Sequence, residues 1–464
     1  MVILAIVWVV FRFFLDFDGL YGQDSYEYLR YTKALNLYFR TGTFPGDYFW
    51  PLYYPIAGAV LSFVLKPVIA LQLVSFISYL IVILYSFKII KLIYPQNQNA
   101  RIFCMLFLGL SPYMLRLSLS VMSDMLSTAF VVLCFYNGFF YFKTSSLKSL
   151  YLVVIFGLSA IMTRYATFVV LLPLSLYTLY IYISRKEHFK HLPFFILTGA
   201  ILLLPHYLIR YENTTEFLQH NWLKSWSVQN FYKRSFTTPD GTNYNFLPNI
   251  IYAFSSLFHP RYLFSGILFF PFLFKNFLKK RAVILLTLSF LAYSFFLSGI
   301  PFQNSRFLIV SFPLLLIILY PGFQLLAATF LSLKIYIATG IATFVLQLFL
   351  CYLALKPAQE RNHLEKEIAQ ELIPYQNAVL YSFDMDVALQ GRGLHFEYQN
   401  LWQQEYVTVH ENSLLLFNSQ KFSRQWEGKN PMKNWNFISN NYRLQVLEEL
   451  PEGWKLYKII SPIE

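Results

Sequence analysis

The sequence predicts an α-helical polytopic membrane protein with about 11 transmembrane helices, followed by a small C-terminal α/β soluble domain. Of its 464 residues, 56% are hydrophobic and only 13% are charged, whereas soluble domains carry about 25% charged residues. Residues 1–356 contain 27 Lys and Arg against 10 Asp and Glu, while residues 357–464 contain 10 against 14. This composition argues against a soluble enzyme, a disordered chain and a fibrous repeat.

The apolar runs predict where the helices of the membrane domain, residues 1–356, lie in the sequence. Met1 to Leu15 is short for a span, but no Lys or Arg precedes it and no cleavage site follows, so we expect a first span rather than a signal peptide. The run 52–65 contains Pro55 and Gly58 and predicts a helix lying in the interface. The remaining spans are expected at 68–93, 102–116, 124–142, 149–163, 166–184, 192–210, 261–277, 282–299, 307–322 and 335–355.

The charges of the loops predict the orientation of these spans. Alternate short loops are basic. This pattern is the one expected from the positive-inside rule and from contact with anionic lipid headgroups, and it argues against nucleic-acid binding. We therefore expect an integral protein, with a bacterial inner membrane favoured. Its N-terminus would be cytoplasmic, its long loops at about 16–66 and 211–260 would lie outside, and residues 357–464 would be periplasmic. The basic loops contain Lys88, Lys91 and Arg101; Lys143 and Lys148; Arg185, Lys186 and Lys190; and Lys275, Lys279, Lys280 and Arg281.

Residues 357–464 have the pattern of a small α/β domain. Glu360 to Leu372 predicts a charged helix. Short apolar runs bounded by polar residues predict buried strands at Ala378–Tyr381 and Ser413–Phe417, and a final strand at Gly453–Ile459.

Asp24 is the first candidate for chemistry, because it follows the first span directly. Tyr28, Tyr31, Leu35 and Tyr38 fall on one face of a helix that would lie along the membrane. Asp24 could cap this helix, with Glu27 at capping-box spacing. A carboxylate held at the bilayer edge could equally serve as a general base. The two interpretations are compatible.

Asp124 and three arginines are the other charged candidates, since all stand at the ends of spans. Asp124 or Ser123 could cap a helix, or the carboxylate could bind a hydroxyl or an ion. Arg164, Arg261 and Arg306 each need a carboxylate or phosphate partner unless they extend to lipid headgroups.

Aromatic residues and cysteines carry weaker signals. Trp222 and Trp226, in the second long loop, could stack on a sugar or cover the site, although an interfacial belt is the commoner role. Cys104, Cys134 and Cys351 show no metal spacing, and no carboxylate cluster indicates Mg²⁺ or Mn²⁺. No cofactor is indicated.

The residues together resemble the GT-C membrane glycosyltransferases, especially the bacterial branch related to protein O-mannosyltransferases and to the lipid A aminoarabinose transferase. The resemblance covers most of 1–356. It rests on the order of short motifs along the chain and on the side of the membrane at which each is expected. They are Gly22–Leu29, Phe49–Pro55, Ser111-Pro112 with Asp124, the turn at Met162–Tyr165, and Ser305–Pro313.

This resemblance implies inverting transfer of a sugar from a polyprenyl-phosphate carrier. Asp24 would be the general base, and Arg306 with Arg164 or Arg261 would hold the lipid phosphate. Many relatives have a paired Asp-Glu where Asp24 is followed by Ser25, which leaves Asp18 open as the base. Glu27, Asp124, Trp222 and Trp226 are expected to bind acceptor or sugar.

Other functional classes remain. A lipid-linked oligosaccharide polymerase or ligase would share the spans and arginines but would not need an acidic motif after the first span. A transporter would show paired half-symmetry, which the sequence lacks. The protein could also be a non-catalytic membrane assembly protein, in which the C-terminal tail binds partners.

Overall fold

The computed structural model describes residues 2–94, 99–210, 219–239, 241–273, 280–329 and 333–463. The chain divides into two compact units. The first unit contains Met1–Gly19, Tyr31–Tyr232 and Leu247–Pro357, and the second contains Leu20–Arg30, Lys233–Phe246 and Ala358–Glu464. The second unit therefore takes in parts of both long loops that the sequence assigned to the membrane domain.

Apolar helices dominate the described residues, as predicted for an integral membrane protein. Five are long and apolar enough to cross a bilayer, and a sixth candidate is a bent pair, so the expected number of about 11 spans is not confirmed. The five are Pro67–Ile93, Asp124–Thr144, Lys186–Arg210, Arg281–Gly299 and Ile337–Glu371. Shorter apolar helices are Val2–Phe14, Leu147–Ile161, Thr167–Ile183 and Phe312–Ala328. The expected interfacial run forms the helix Tyr53–Leu61.

The span expected at 102–116 is broken. Its helices, Ala100–Phe107 and Pro112–Leu119, meet at 66°. Pro112 lacks a backbone N–H and disfavours a helical residue before it. The carbonyls released at the break are bonded by other helices: the Tyr79 hydroxyl donates to the Gly109 carbonyl at 2.6 Å, and the Gln347 amide donates to that of Leu106 at 2.8 Å. Such partners satisfy backbone groups that a break in an apolar helix would otherwise leave unbonded.

The span expected at 261–277 is wrong over its described part. Residues 260–273 form only short turns and one short helix, Ser265–Phe269. Leu263 and Phe264 both have positive φ, which breaks a right-handed helix. Residues 274–277 lie outside the described residues. Apolar composition alone could not reveal two consecutive left-handed residues.

The last helix is longer than predicted. Leu333–Glu371 is one helix of 39 residues that continues through Pro357. It joins the expected span at 335–355 to the charged helix expected at Glu360–Leu372, so these are not separate elements. At about 1.5 Å per residue it is roughly 58 Å long, well beyond the thickness of a bilayer core.

The second unit contains a five-stranded sheet, which confirms the predicted α/β tail. The strands are β3 (Val379–Ser382), β4 (Glu397–Asn400), β5 (Leu414–Phe417), β6 (Tyr442–Glu449) and β7 (Lys455–Pro462), after a hairpin of β1 (Ser235–Thr238) and β2 (Gly241–Tyr244). Their order is β4-β3-β5-β7-β6, with β3 parallel to β4 and β5 and the other pairs antiparallel. The sequence analysis missed both edge strands: β4 is largely polar, and only half of the residues of β6 are apolar. Helices Asp386–Gly391, Ser419–Phe422 and Asn430–Asn441 complete the sheet domain.

Candidate active site

Asp124 is a fully buried carboxylate at the first turn of the helix Asp124–Thr144. A guanidinium nitrogen of Arg164 donates a hydrogen bond to its Oδ1. Ser123 makes no side-chain capping bond. The Asp124 side chain therefore serves as the partner of an arginine, and the interpretation of Ser123 as a side-chain cap is wrong.

Arg306 approaches the same carboxylate oxygen from a different part of the chain. Its Nε lies 3.6 Å from Oδ1 of Asp124, and its Nη1 lies 3.2 Å from the sulfur of Met122. The turn Ser305–Val310 positions this arginine, and Asn304 caps the turn by accepting a hydrogen bond from the Arg306 amide at 3.0 Å. Three residues that are distant in the sequence thus form one cluster, the Asp124–Arg164–Arg306 cluster.

The cluster carries an excess of positive charge. Two guanidiniums face one carboxylate, and both are partly exposed, at 15% for Arg164 and 20% for Arg306. Oδ2 of Asp124 has no hydrogen-bond partner among the described residues. Both guanidiniums lie over the ring of Phe307. The distance from the guanidinium carbon to the ring centroid is 5.4 Å for Arg164 and 5.8 Å for Arg306. This arrangement can hold an anion such as phosphate in bidentate contact with arginine.

Arg261 is linked to the cluster through tyrosines. Its Nη1 donates to the Tyr113 hydroxyl at 2.9 Å, and the Tyr113 ring lies 5.1 Å from that of Tyr262. The Tyr262 hydroxyl donates to the carbonyl of Ser305, the neighbour of Arg306, at 2.5 Å. The sequence singled out Arg261 but did not identify the two tyrosines, which have no charge to mark them.

Asp18 belongs to the same unit as the cluster. It is half-buried and precedes Gly19, whose carbonyl accepts a hydrogen bond from the Val121 amide at 2.9 Å. Gly19 has a φ of +79°, and an added Cβ would lie 2.8 Å from the Leu119 carbonyl oxygen. Only glycine permits this approach. The backbone beside Asp18 is therefore fixed against the segment that leads to Asp124.

Asp24 belongs to the second unit and is the third residue of the helix Gly22–Thr41. The expected N-cap is wrong, because the helix begins two residues before it. Ser25 instead accepts a hydrogen bond from the Tyr21 amide at 2.9 Å. Glu27 makes no capping box either, since both of its oxygens accept from Arg30, at 2.7 and 2.5 Å.

The apolar face predicted for this helix is buried over most of its length. Tyr28, Tyr31 and Leu35 are buried, whereas Tyr38, near the end of the helix, is half-buried. Asp24 is half-buried.

The two tryptophans occupy different environments. Trp222 stacks on Phe302 with ring centroids 4.7 Å apart, and its ring lies 6.0 Å from that of Phe307, the ring beneath the arginines. Trp226 donates to the Phe296 carbonyl at 2.9 Å and packs closely on Gly299. Only Trp222 is thus joined to the cluster by ring contacts among those described.

Arg210 is a buried residue that the sequence analysis did not single out. It donates to the carbonyls of Phe49 and Trp50, at 2.8 Å for Trp50. These carbonyls lie in the aromatic-proline motif, so Arg210 fixes that motif within the first unit. Within the described ranges, no group of three or more His, Cys, Asp or Glu side chains could hold a metal ion.

Comparison with known proteins relates the fold to solved structures. No protein-family model matches the chain, and no curated protein sequence matches it. The crystal structure of ArnT from Cupriavidus metallidurans bound to undecaprenyl phosphate is similar with a TM-score of 0.60 and 14% identity, covering 98% of this chain and 97% of that chain. The crystal structure of the same ArnT in the apo state is similar with a TM-score of 0.57 and 13% identity, again covering 98% of this chain and 97% of that chain. The predicted GT-C-like fold is therefore confirmed over nearly the whole chain.

Proposed function

We propose that this protein is an inverting glycosyltransferase. It moves a sugar from a polyprenyl-phosphate carrier to a lipid, glycan or protein acceptor at the outer membrane face. The observation that carries the proposal is the Asp124–Arg164–Arg306 cluster, whose excess positive charge suits a lipid phosphate. The shared fold supports it, because one of the ArnT structures contains undecaprenyl phosphate.

The arginines would stabilise the leaving group. Arg164 and Arg306 would bind the donor phosphate, and their charge would stabilise the negative charge that develops as the sugar–phosphate bond breaks. Asp124 would keep both guanidiniums in one orientation, and Arg261 would support them through Tyr113 and Tyr262. Trp222 would cover the sugar from its place beside Phe307.

A carboxylate would supply the general base. The acceptor hydroxyl oxygen would form a bond to the anomeric carbon on the face opposite the phosphate, which inverts that centre. Its proton would pass to the carboxylate, and the polyprenyl phosphate would leave with the bonding electron pair. We assign this role to Asp24, with Asp18 as the alternative; Glu27 is paired with Arg30 and would contribute at most to acceptor binding.

The proposed setting is the bacterial inner membrane, with the N-terminus cytoplasmic and the sheet domain periplasmic. The basic loops predicted to be cytoplasmic support this orientation. Arg101, in one of them, is exposed and lies over the ring of Phe87. Membrane lipids and the sugar-loaded carrier would be the binding partners.

The test is sugar transfer by purified protein in lipid nanodiscs, with a panel of undecaprenyl-phosphate sugars and a membrane extract as the source of acceptors. Wild type should transfer one or more of these sugars, and Arg306→Ala should not. Arg101→Gln is the matched control, because it removes an exposed arginine from another part of the first unit. Glycan chain extension instead of single transfer would identify a polymerase, and absence of transfer with every donor would favour a non-catalytic assembly role.

A further inference from the structure

Glu365 is a fully buried carboxylate on the long helix Leu333–Glu371. Its Oε1 accepts a hydrogen bond from the backbone amide of Gly22 at 3.1 Å, and its Oε2 accepts one from the Tyr26 hydroxyl at 2.5 Å. Both donors lie in the first turns of the helix that carries Asp24. These contacts are all within the second unit, although more than 300 residues separate the partners in sequence.

A second residue of the long helix holds the same segment. The side-chain amide of Asn362 donates to the Leu20 carbonyl at 2.6 Å. Asn362 and Glu365 are three residues apart and therefore share one helix face. Together they bind the backbone immediately before Gly22 and at Gly22 itself, where φ is +67° and the chain turns into the helix.

Arginines on both sides balance the buried charge of Glu365. Nε of Arg361 lies 2.6 Å from its Oε1, and Nη2 of Arg392 lies 3.8 Å from its Oε2. Arg361 is itself held by Asp384 at 3.1 Å. The Glu365 side chain thus pairs with two arginines while its oxygens accept two hydrogen bonds from the Asp24 helix.

Tyr26 is confined as closely as Glu365. It is 1% exposed, and a Cβ added at Gly391 would lie 2.3 Å from its ring. The guanidinium of Arg392 lies 5.5 Å from the centroid of the same ring. The hydroxyl that donates to Glu365 therefore has little room to move.

We infer that Glu365 is a positioning residue for Asp24. Gly22 and Tyr26 stand two residues before and two after Asp24, and side chains two apart on a helix do not face each other. The anchored positions thus flank Asp24 on both sides along the helix. The inference rests on the proposed function, because it assumes that Asp24 is the general base.

Two variants test this arrangement. Tyr26→Phe removes one hydroxyl and keeps the packed ring, whereas Glu365→Gln removes the charge and keeps an acceptor. Glu367→Gln is the matched control, since Glu367 is a half-exposed carboxylate on the same helix. We expect kcat for sugar transfer to fall roughly ten- to a hundredfold in both test variants, because a small misplacement of a catalytic group is costly. KM for the lipid donor should not change, and the control should match wild type.

Hydrogen exchange gives a readout that does not depend on transfer. The amides of residues 22–26 should exchange faster in Glu365→Gln than in wild type or Glu367→Gln, while those of β3, β5 and β7 keep their protection. Unchanged exchange at 22–26, or wild-type kcat in both test variants, would overturn the inference. If wild type transfers no sugar, the proposed function fails, and the exchange result alone then decides whether Glu365 holds the start of this helix.

Discussion

Arg164 donates a hydrogen bond to the buried Asp124 carboxylate from 40 residues farther along the chain. Asp124 begins one helix, and Arg164 lies in the turn between Leu147–Ile161 and Thr167–Ile183. That turn is held by its own bonds, including one from the Arg164 amide to the Ala160 carbonyl at 2.9 Å. The pair therefore joins two rigid helix ends and leaves room for Arg306 on the same carboxylate.

Asp124→Asn should destabilise the protein. The variant would leave two guanidiniums close together without their shared carboxylate, and breaking a buried ion pair costs roughly 3 kcal/mol. Thermal unfolding in detergent would measure the loss. Glu405→Gln is the control, because the Glu405–Lys433 pair is about half exposed on both sides and exposed pairs contribute about 1 kcal/mol or less. Equal shifts in Tm for the two variants would contradict this account.

Arg306→Ala should weaken binding of undecaprenyl phosphate about ten- to a hundredfold, the range for losing a hydrogen bond to a charged group. Arg306→Lys should recover only part of the affinity, because an ammonium cannot contact phosphate in bidentate fashion. Titration of the lipid into protein in nanodiscs would give both values, with Arg101→Gln as the reference. An unchanged Kd for Arg306→Ala would remove Arg306 from the phosphate site.

Asp24→Asn should lower kcat by about 10²- to 10⁴-fold, the contribution typical of a general base, while donor affinity stays near that of wild type. A capping aspartate would tolerate asparagine, but Asp24 lies inside its helix and does not cap it. Asp18→Asn, assayed for transfer in parallel, separates the two candidates. Full activity in Asp24→Asn with loss in Asp18→Asn would transfer the role to Asp18.

The sheet domain should gain stability as pH falls from 8 to 5. Burial raises the pKa of Asp386 from 3.8 to about 6, although the Asn400 amide, 2.5 Å from its Oδ2, favours the charged form. A carboxyl whose folded pKa exceeds its unfolded value stabilises the fold when protonated, and that contribution is lost as pH rises through about 6. Between pH 8 and pH 5 this gain in stability is about 1.4 kcal/mol, because only about one pKa unit of the shift falls within that range.

Asp386→Asn gives the matching test, because it cannot ionise. Hydrogen exchange in β3 and β4 of the intact protein, followed from pH 5 to 8 and corrected for intrinsic exchange, would report local stability. Wild type should lose protection with rising pH, and the variant should not. Parallel pH profiles for the two proteins would show that another group controls this dependence.

Much of the architecture follows from local sequence properties. Hydropathy and charge act residue by residue, so they predicted the membrane class and helices such as Pro67–Ile93 and Arg281–Gly299. Short apolar runs bounded by polar residues likewise predicted β3 and β5, and the run Gly453–Ile459 predicted β7. Local sequence patterns failed at the break before Pro112, at the left-handed Leu263 and Phe264, and along the edge strands β4 and β6. At these places contacts with neighbouring parts of the fold determine the structure.

In the candidate site, too, some features follow from the sequence and others only from the tertiary structure. The sequence by itself determined which ionisable residues stand at the ends of apolar runs, because a charge inside a bilayer is too costly to be placed at random. Only the tertiary structure decided that Arg164 and Arg306 share Asp124, and that Glu365 bonds to Gly22 and Tyr26. These are contacts between distant parts of the chain, and their energies depend on distance and burial, which no local pattern of residues contains.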